Sequence, residues 1–164
     1  MEARQLRVHK DASKVLARPP VFKPVKRGKL PRPFHRMGGT RLTSTGMVKL
    51  ALDYWTIFFV RDGSALSDTA FLGYLMYELP SQELTPLFEL HWHPGHKGFH
   101  CKTPCRDSRD FAGRQLPGVR ELSMKTLPLD PRVEAHRQEL IAVFCGACGI
   151  GLGWLDSKQR RLQL

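Results

Sequence analysis

From Leu87 onward the hydrophobic positions alternate. Phe88, Leu90 and Trp92 fall on one side and Glu89, His91 and His93 on the other, the period of a half-buried strand. Pro94-Gly95 then turns the chain, and Gly98-Phe99-His100 leads into Cys101. Upstream the pattern is denser. Residues 47–60, MVKLALDYWTIFFV, are apolar nearly all round, a length that suits a buried helix, while Tyr54 to Val60 is aromatic and β-branched enough for a strand. Periodicity leaves both open. Arg61-Asp62-Gly63-Ser64 reads as a turn, and Ser67 caps a predicted helix to Leu79, with Phe71, Leu72, Leu75, Met76 and Leu79 on its core face. Downstream, Asp130 as N-cap and Pro131 at the first position predict a helix to Leu140. A strand from Ile141 to Phe144 entering Cys145 and a Gly-rich strand from Gly149 to Leu155 complete an α+β domain over residues 42–164.

The first 41 residues depart from this pattern. They hold seven Arg and five Lys against Glu2 and Asp11, a balance of +10, while the remaining 123 residues carry 14 basic and 13 acidic side chains. Nearly all of the net charge of +11 therefore sits at one end. Within it, residues 18–36 combine Pro19, Pro20, Pro24, Pro31 and Pro33 with basic residues and no acid. Proline at this density predicts an extended, largely polyproline-like arm over residues 1–41 that does not fold alone. Such an arm suits phosphate backbones, and Lys23, Lys26, Arg27, Lys29, Arg32, Arg36 and Arg41 are its candidate contacts. The start of the chain has no hydrophobic stretch of a secretory signal, and no apolar run approaches the ~18–20 residues that span a bilayer. A cytoplasmic, reducing setting follows, in which clustered cysteines are more often metal ligands than disulfides.

The four cysteines form two short-spaced pairs, Cys101/Cys105 and Cys145/Cys148, separated by 39 residues. Two tight turns presenting two thiolates each match tetrahedral zinc, and one structural zinc ion on Cys101, Cys105, Cys145 and Cys148 is the expectation. Cys-Gly-Ala-Cys-Gly between apolar strands has the small residues that free backbone N–H groups toward sulfur, with Gly149 permitting a positive φ. At this level the chain resembles the zinc-ribbon superclass over residues 87–155, as a motif and not as a particular family. It departs from the common pattern by three residues inside the first turn and by the long insertion. An iron–sulfur cluster uses the same thiolates. A redox pair at Cys145/Cys148 would need a helix beginning at the first cysteine, against which Gly149, Gly151 and Gly153 argue.

His91-Trp-His93-Pro-Gly-His96 matches H-x-H-x-x-H. The spacing resembles the metal-binding stretch of metallo-β-lactamase-type hydrolases, and His91 with His93 resembles the first metal ligands of cupins. The hydrolase pattern wants Asp where Gly95 stands, and the cupin pattern wants a glutamate that Lys97 to His100 does not offer. These histidines are expected to brace the zinc turn or contact phosphate, and His100 is an alternative ligand beside Cys101. No phosphate-binding Gly loop with a Lys-Ser/Thr end and no serine nucleophile elbow is present.

Between the cysteine pairs, Arg106, Arg109 and Arg114 stud a loop that the zinc would anchor. The expectation is thus a non-catalytic, zinc-containing nucleic-acid-binding protein, RNA before DNA, working beside other protein subunits in a ribonucleoprotein or similar assembly, with no membrane partner. Two alternatives stand beside it: a metal-dependent hydrolase centred on His91, His93 and His96, and an adaptor whose basic tail docks an acidic protein.

Overall fold

The structure, a computed structural model, describes residues 8–95, 98–102, 110–112 and 129–155. Its frame is an antiparallel meander. Strands β1 (Lys14–Leu16), β2 (Lys23–Pro24), β3 (Leu42–Ser44), β4 (Val48–Lys49), β5 (Tyr54–Arg61), β6 (Ala70–Glu78), β7 (Leu84–His93), β8 (Gly98–Lys102), β9 (Asp110–Ala112) and β10 (Ile150–Leu152) accompany one long helix, α1 (Glu134–Cys148). The main sheet runs β2-β3-β5-β6-β7-β8-β9, with β4 also paired to β5, and β1 pairs parallel to β10 in a separate ribbon. The mixed α and β content agrees with the expected class, although the sheet dominates.

Residues 54–61 form a strand, which resolves the ambiguity of the 47–60 run in favour of its aromatic, β-branched half. The predicted helix from Ser67 to Leu79 is instead β6, preceded by a short 3-10 turn at Leu66–Asp68. Residues 70–76 are buried on both faces of the sheet, so their apolar run is continuous and mimics the spacing of a helix face. β7 keeps its predicted alternation: Phe88, Leu90 and Trp92 enter the core beneath α1. The last helix is the largest revision. It starts later than expected, with Val133 at the N-cap, and continues through the supposed strand at Ile141–Phe144 to Cys148. Asp130 serves the preceding turn, accepting from the backbone N–H of Arg132 at 2.9 Å. Gly149 has the positive φ expected of it, 64°, but as the left-handed C-cap of α1, its N–H reaching the carbonyls of Cys145 and Gly146.

The two faces of the sheet carry separate clusters. On one, α1 lays Leu140, Ile141 and Phe144 over Phe58, Phe71, Leu75, Phe88 and Leu90, with Leu16 of β1 and Leu152 of β10 closing the edge. Phe144 crosses directly above Gly73, where a Cβ would lie 2.8 Å from its ring. On the other face, Phe34, Leu42, Ile57, Phe59, Leu72, Tyr74 and Met76 form a smaller core. The described part of the basic segment belongs to this body and is not a free arm: Leu16 sits in the first cluster and Phe34 in the second. Burial of two large apolar side chains, each stabilising by roughly 1.5–3 kcal/mol, explains why so charged a stretch lies down. Lys14 is buried as well, its Nζ donating to the carbonyls of His9, Lys10 and Ala12.

Candidate metal centre

Strand alternation brings three imidazoles together. In the β7–β8 pairing His91 stands opposite His100 and His93 opposite Gly98, so His91, His93 and His100 project from the same face. Their candidate donor atoms all lie within 4.8 Å of one another. The rings of His93 and His100 stack at 5.1 Å with an interplanar angle of 14°, and His91 meets His100 edge-on at 4.9 Å. His91 and His100 are 9 % and 7 % exposed, while His93 is half-buried at the solvent side. Three neutral imidazoles at this separation can hold one transition-metal ion, and the nitrogen set suits zinc, copper, nickel or iron over the harder magnesium and calcium.

Neighbours on the same face tune the group. Glu89 lies one pleat along β7, its Oε2 3.3 Å from His91 Nε2. That contact lacks hydrogen-bond geometry, since His91 Nε2 is buried without a hydrogen-bond partner. Carboxylates beside metal-binding imidazoles are the groups that orient them, and Glu89 is the carboxylate nearest His91 among the described residues. Tyr74 packs against His91 at 5.7 Å, and burial, seconded by the nearby Glu89 charge, pushes its phenol well above the usual range. Tyr74 also touches Phe34 at 4.9 Å, so a continuous aromatic row runs from the basic segment to the histidines.

Cys101, Cys145 and Cys148 lie on the opposite face. Cys101 pairs with Leu90 and shares the helix-side cluster with Cys145 and Cys148 from the last turn of α1. All three are buried, and among the described residues they form no group at ligand spacing. Burial pushes the Cys145 thiol far up, and that of Cys148 likewise, with Cys145 and Cys101 adding to the shift and Lys14 opposing it. Such thiols pack as small hydrophobes and stay protonated. The strand–knuckle–strand setting expected around Cys145 is a helix C-terminus. Cys105 falls outside the described residues, so the expected four-thiolate zinc site is not assembled among them. His100 cannot replace a cysteine, because consecutive strand residues point to opposite faces.

Of the other expected residues, Lys23, Lys26, Arg27, Lys29, Arg32, Arg36 and Arg41 are all exposed, around β2 and the loop that packs Phe34 and Met37 on the histidine face. His96, Arg106, Arg109 and Arg114 lie outside the described residues. Sequence reasoning chose His96 by motif spacing and missed His100 as the third imidazole. The available signal was the Pro94-Gly95 turn followed by a second alternating run, Gly98 to Lys102, which folds back in antiparallel register. No helix among the described residues is long and apolar enough to cross a membrane. Comparison with family models, curated proteins and solved structures returns no match for this chain.

Proposed function

We propose that this chain is a nucleic-acid-binding metalloprotein that carries one zinc ion on His91, His93 and His100. The observation that carries the reading is the convergence of these three imidazoles on one sheet face. The seven cations of the basic segment are all exposed, which supports a polyanionic partner, RNA before DNA. A zinc ion held by His91, His93 and His100 would brace the β7–β8 hairpin and would supply an electropositive point for phosphate oxygen. Other protein subunits fit this reading, as they do for many proteins of such charge. The test is binding of labelled single-stranded oligonucleotides to protein loaded with zinc and to protein stripped by a chelator. Tight, salt-sensitive binding by the loaded form is expected; no binding by either form would refute the reading.

A hydrolytic reading has one observation of its own. His91, His93 and His100 are three candidate donors and not four, and a zinc ion they held would have room for a water, as catalytic sites do. Incubating the zinc-loaded protein with the same oligonucleotides separates the two. Products that vanish on replacing His93 by Ala would establish hydrolysis, and intact oligonucleotide after saturation binding would leave the protein a binder.

A further inference from the structure

Beyond the histidines, the described residues hold a second concave feature on this side of the sheet. The chain from Arg36 to Leu42 meets the end of β5 and the 3-10 turn Leu66–Asp68 around a cleft of ≈ 550 Å³. Arg36 ends the 3-10 turn Phe34–Arg36, Arg41 comes from the loop after it and Arg61 from the last position of β5, and Asp62 and Asp68 line the cleft as well. Each guanidinium is on an exposed residue. Asp68 accepts from Ser64 and Ser67 hydroxyls at 3.1 and 3.2 Å, and Arg132, paired to Asp130, also reaches the carbonyl of Gly63 and feels the charge of Asp62. The chain runs close here for a reason: a Cβ on Gly38 would lie 2.6 Å from the backbone nitrogen of Arg27. Glycine lets the loop fold tightly enough to bring Arg36 and Arg41 to one mouth.

Register ties this cleft to the metal centre. Arg61 pairs with Ala70, and Ala70 and His93 are the next residues outward from the paired Phe71 and Trp92. Arg61 and Phe59 are two residues apart on β5, and Phe59 stands in the row Phe59–Leu72–His91. Arg61 therefore projects on the histidine face, with its Cα two interstrand spacings, about 10 Å, from that of His93. The charge of Arg61 is felt at Tyr74, where it opposes the upward shift, as expected for groups sharing that face.

We propose that the Arg36/Arg41/Arg61 cleft is a phosphate subsite for single-stranded nucleic acid, seating a nucleotide next to the one that faces His93. The inference rests on the nucleic-acid reading above and names where the strand lies. The volume suits one nucleotide and not a duplex, and planar guanidinium forks match phosphate oxygens two at a time.

The experiment uses the full chain loaded with zinc, a short single-stranded oligoribonucleotide and its deoxy counterpart, and the triple variant R36A/R41A/R61A. The replaced residues are exposed, so the variant should fold and keep its zinc. Expected are a loss of affinity of roughly tenfold or more and a salt slope flatter by about 2, near 0.7 for each contact on a single strand. Arg61→Lys should keep the slope and still weaken binding, because the ammonium cannot make the fork. Equal affinity and slope in the triple variant and the native chain would overturn the subsite while leaving the nucleic-acid reading intact. Absence of oligonucleotide binding by the native chain would refute both. Displacement of bound oligonucleotide by poly-glutamate at matched charge would also overturn the proposal, in favour of a groove for an acidic protein.

Discussion

The two faces of the central sheet are built by the same strands and do opposite things. Beneath α1 the face is apolar: Phe58, Phe71, Phe88 and Phe144 interlock, and three cysteines are buried among them. On the other face a smaller aromatic core gives way along β7 and β8 to Glu89, His91, His93 and His100, with basic side chains at its border. His100 and Cys101 are neighbours in sequence and lie on different faces. Two metal-like motifs written into one short stretch thus need not make one site. The pleat assigns each residue to a side, and the chemistry follows the side.

That contrast breaks most visibly on the helix face. Phe144 is fully buried, edge-on to Phe58 at 5.1 Å and tilted on Phe88 at 5.9 Å. Phe144→Ala should lower stability by about 3–5 kcal/mol in denaturant unfolding, by lost transfer energy and the cavity left behind. Gly73→Ala should cost about 1–3 kcal/mol, since the new methyl must displace that ring. Either variant showing wild-type stability would dissociate α1 from the sheet.

A smaller effect concerns the thiols. Cys148→Ser places a hydroxyl in an apolar pocket and should cost about 1–3 kcal/mol without changing the metal content. Alkaline pH probes the same residues. Burial raises both Cys145 and Cys148 above the ordinary 9.0, so between that value and the folded one the native state holds more protons than the unfolded chain. Their stabilisation is complete below about 9 and is lost as pH rises, with a slope approaching 1.4 kcal/mol per unit for each thiol (about the value of one pKa unit). Lys14, whose pKa burial lowers from 10.5, works the other way near the top of this range. A stability curve flat to pH 10 in native protein, and equally flat in the Cys148→Ser variant, would contradict the thiol assignment.

On the histidine face the expected effects are on ligand and not on fold. Glu89→Gln removes the carboxylate beside His91 Nε2 and should weaken zinc affinity by roughly 10–100-fold, measured by competition with a chelator of known strength. Thermal unfolding of the stripped variant should match that of the stripped native chain within a degree or so, because Glu89 is on a solvent-reached side of the strand. Unchanged zinc affinity would remove Glu89 from the site.

How much of this was legible in the sequence depends on which faces an element buries. β7, apolar on one side and polar on the other, was readable from Leu87 on, although the strand begins three residues earlier at Leu84. β6 was not, since Ala70 to Met76 is apolar on both sides and carries no period of two. The helix end at Cys148 was obscured by glycines that in fact terminate it: Gly149 is the cap, and Gly151 and Gly153 belong to the return strand and its turn. The basic segment showed its charge but hid its two anchors, Leu16 and Phe34, single apolar residues in a polar context. Of the site, His91 and His93 were found by spacing. His100 and Arg61 required pairing register, which no local pattern encodes.

The central claim is that the metal belongs to the imidazoles and not to the thiols. It is tested most directly by the absorption spectrum of the full chain reconstituted with cobalt(II) in place of zinc. Nitrogen and oxygen ligation by His91, His93, His100 and a water gives visible d–d bands without thiolate charge transfer in the near ultraviolet. The account predicts that spectrum at one equivalent of cobalt, unchanged in a Cys145→Ser/Cys148→Ser variant and abolished in His91→Ala/His93→Ala. Strong thiolate-to-cobalt charge transfer that disappears with the cysteines and survives loss of the histidines would contradict it.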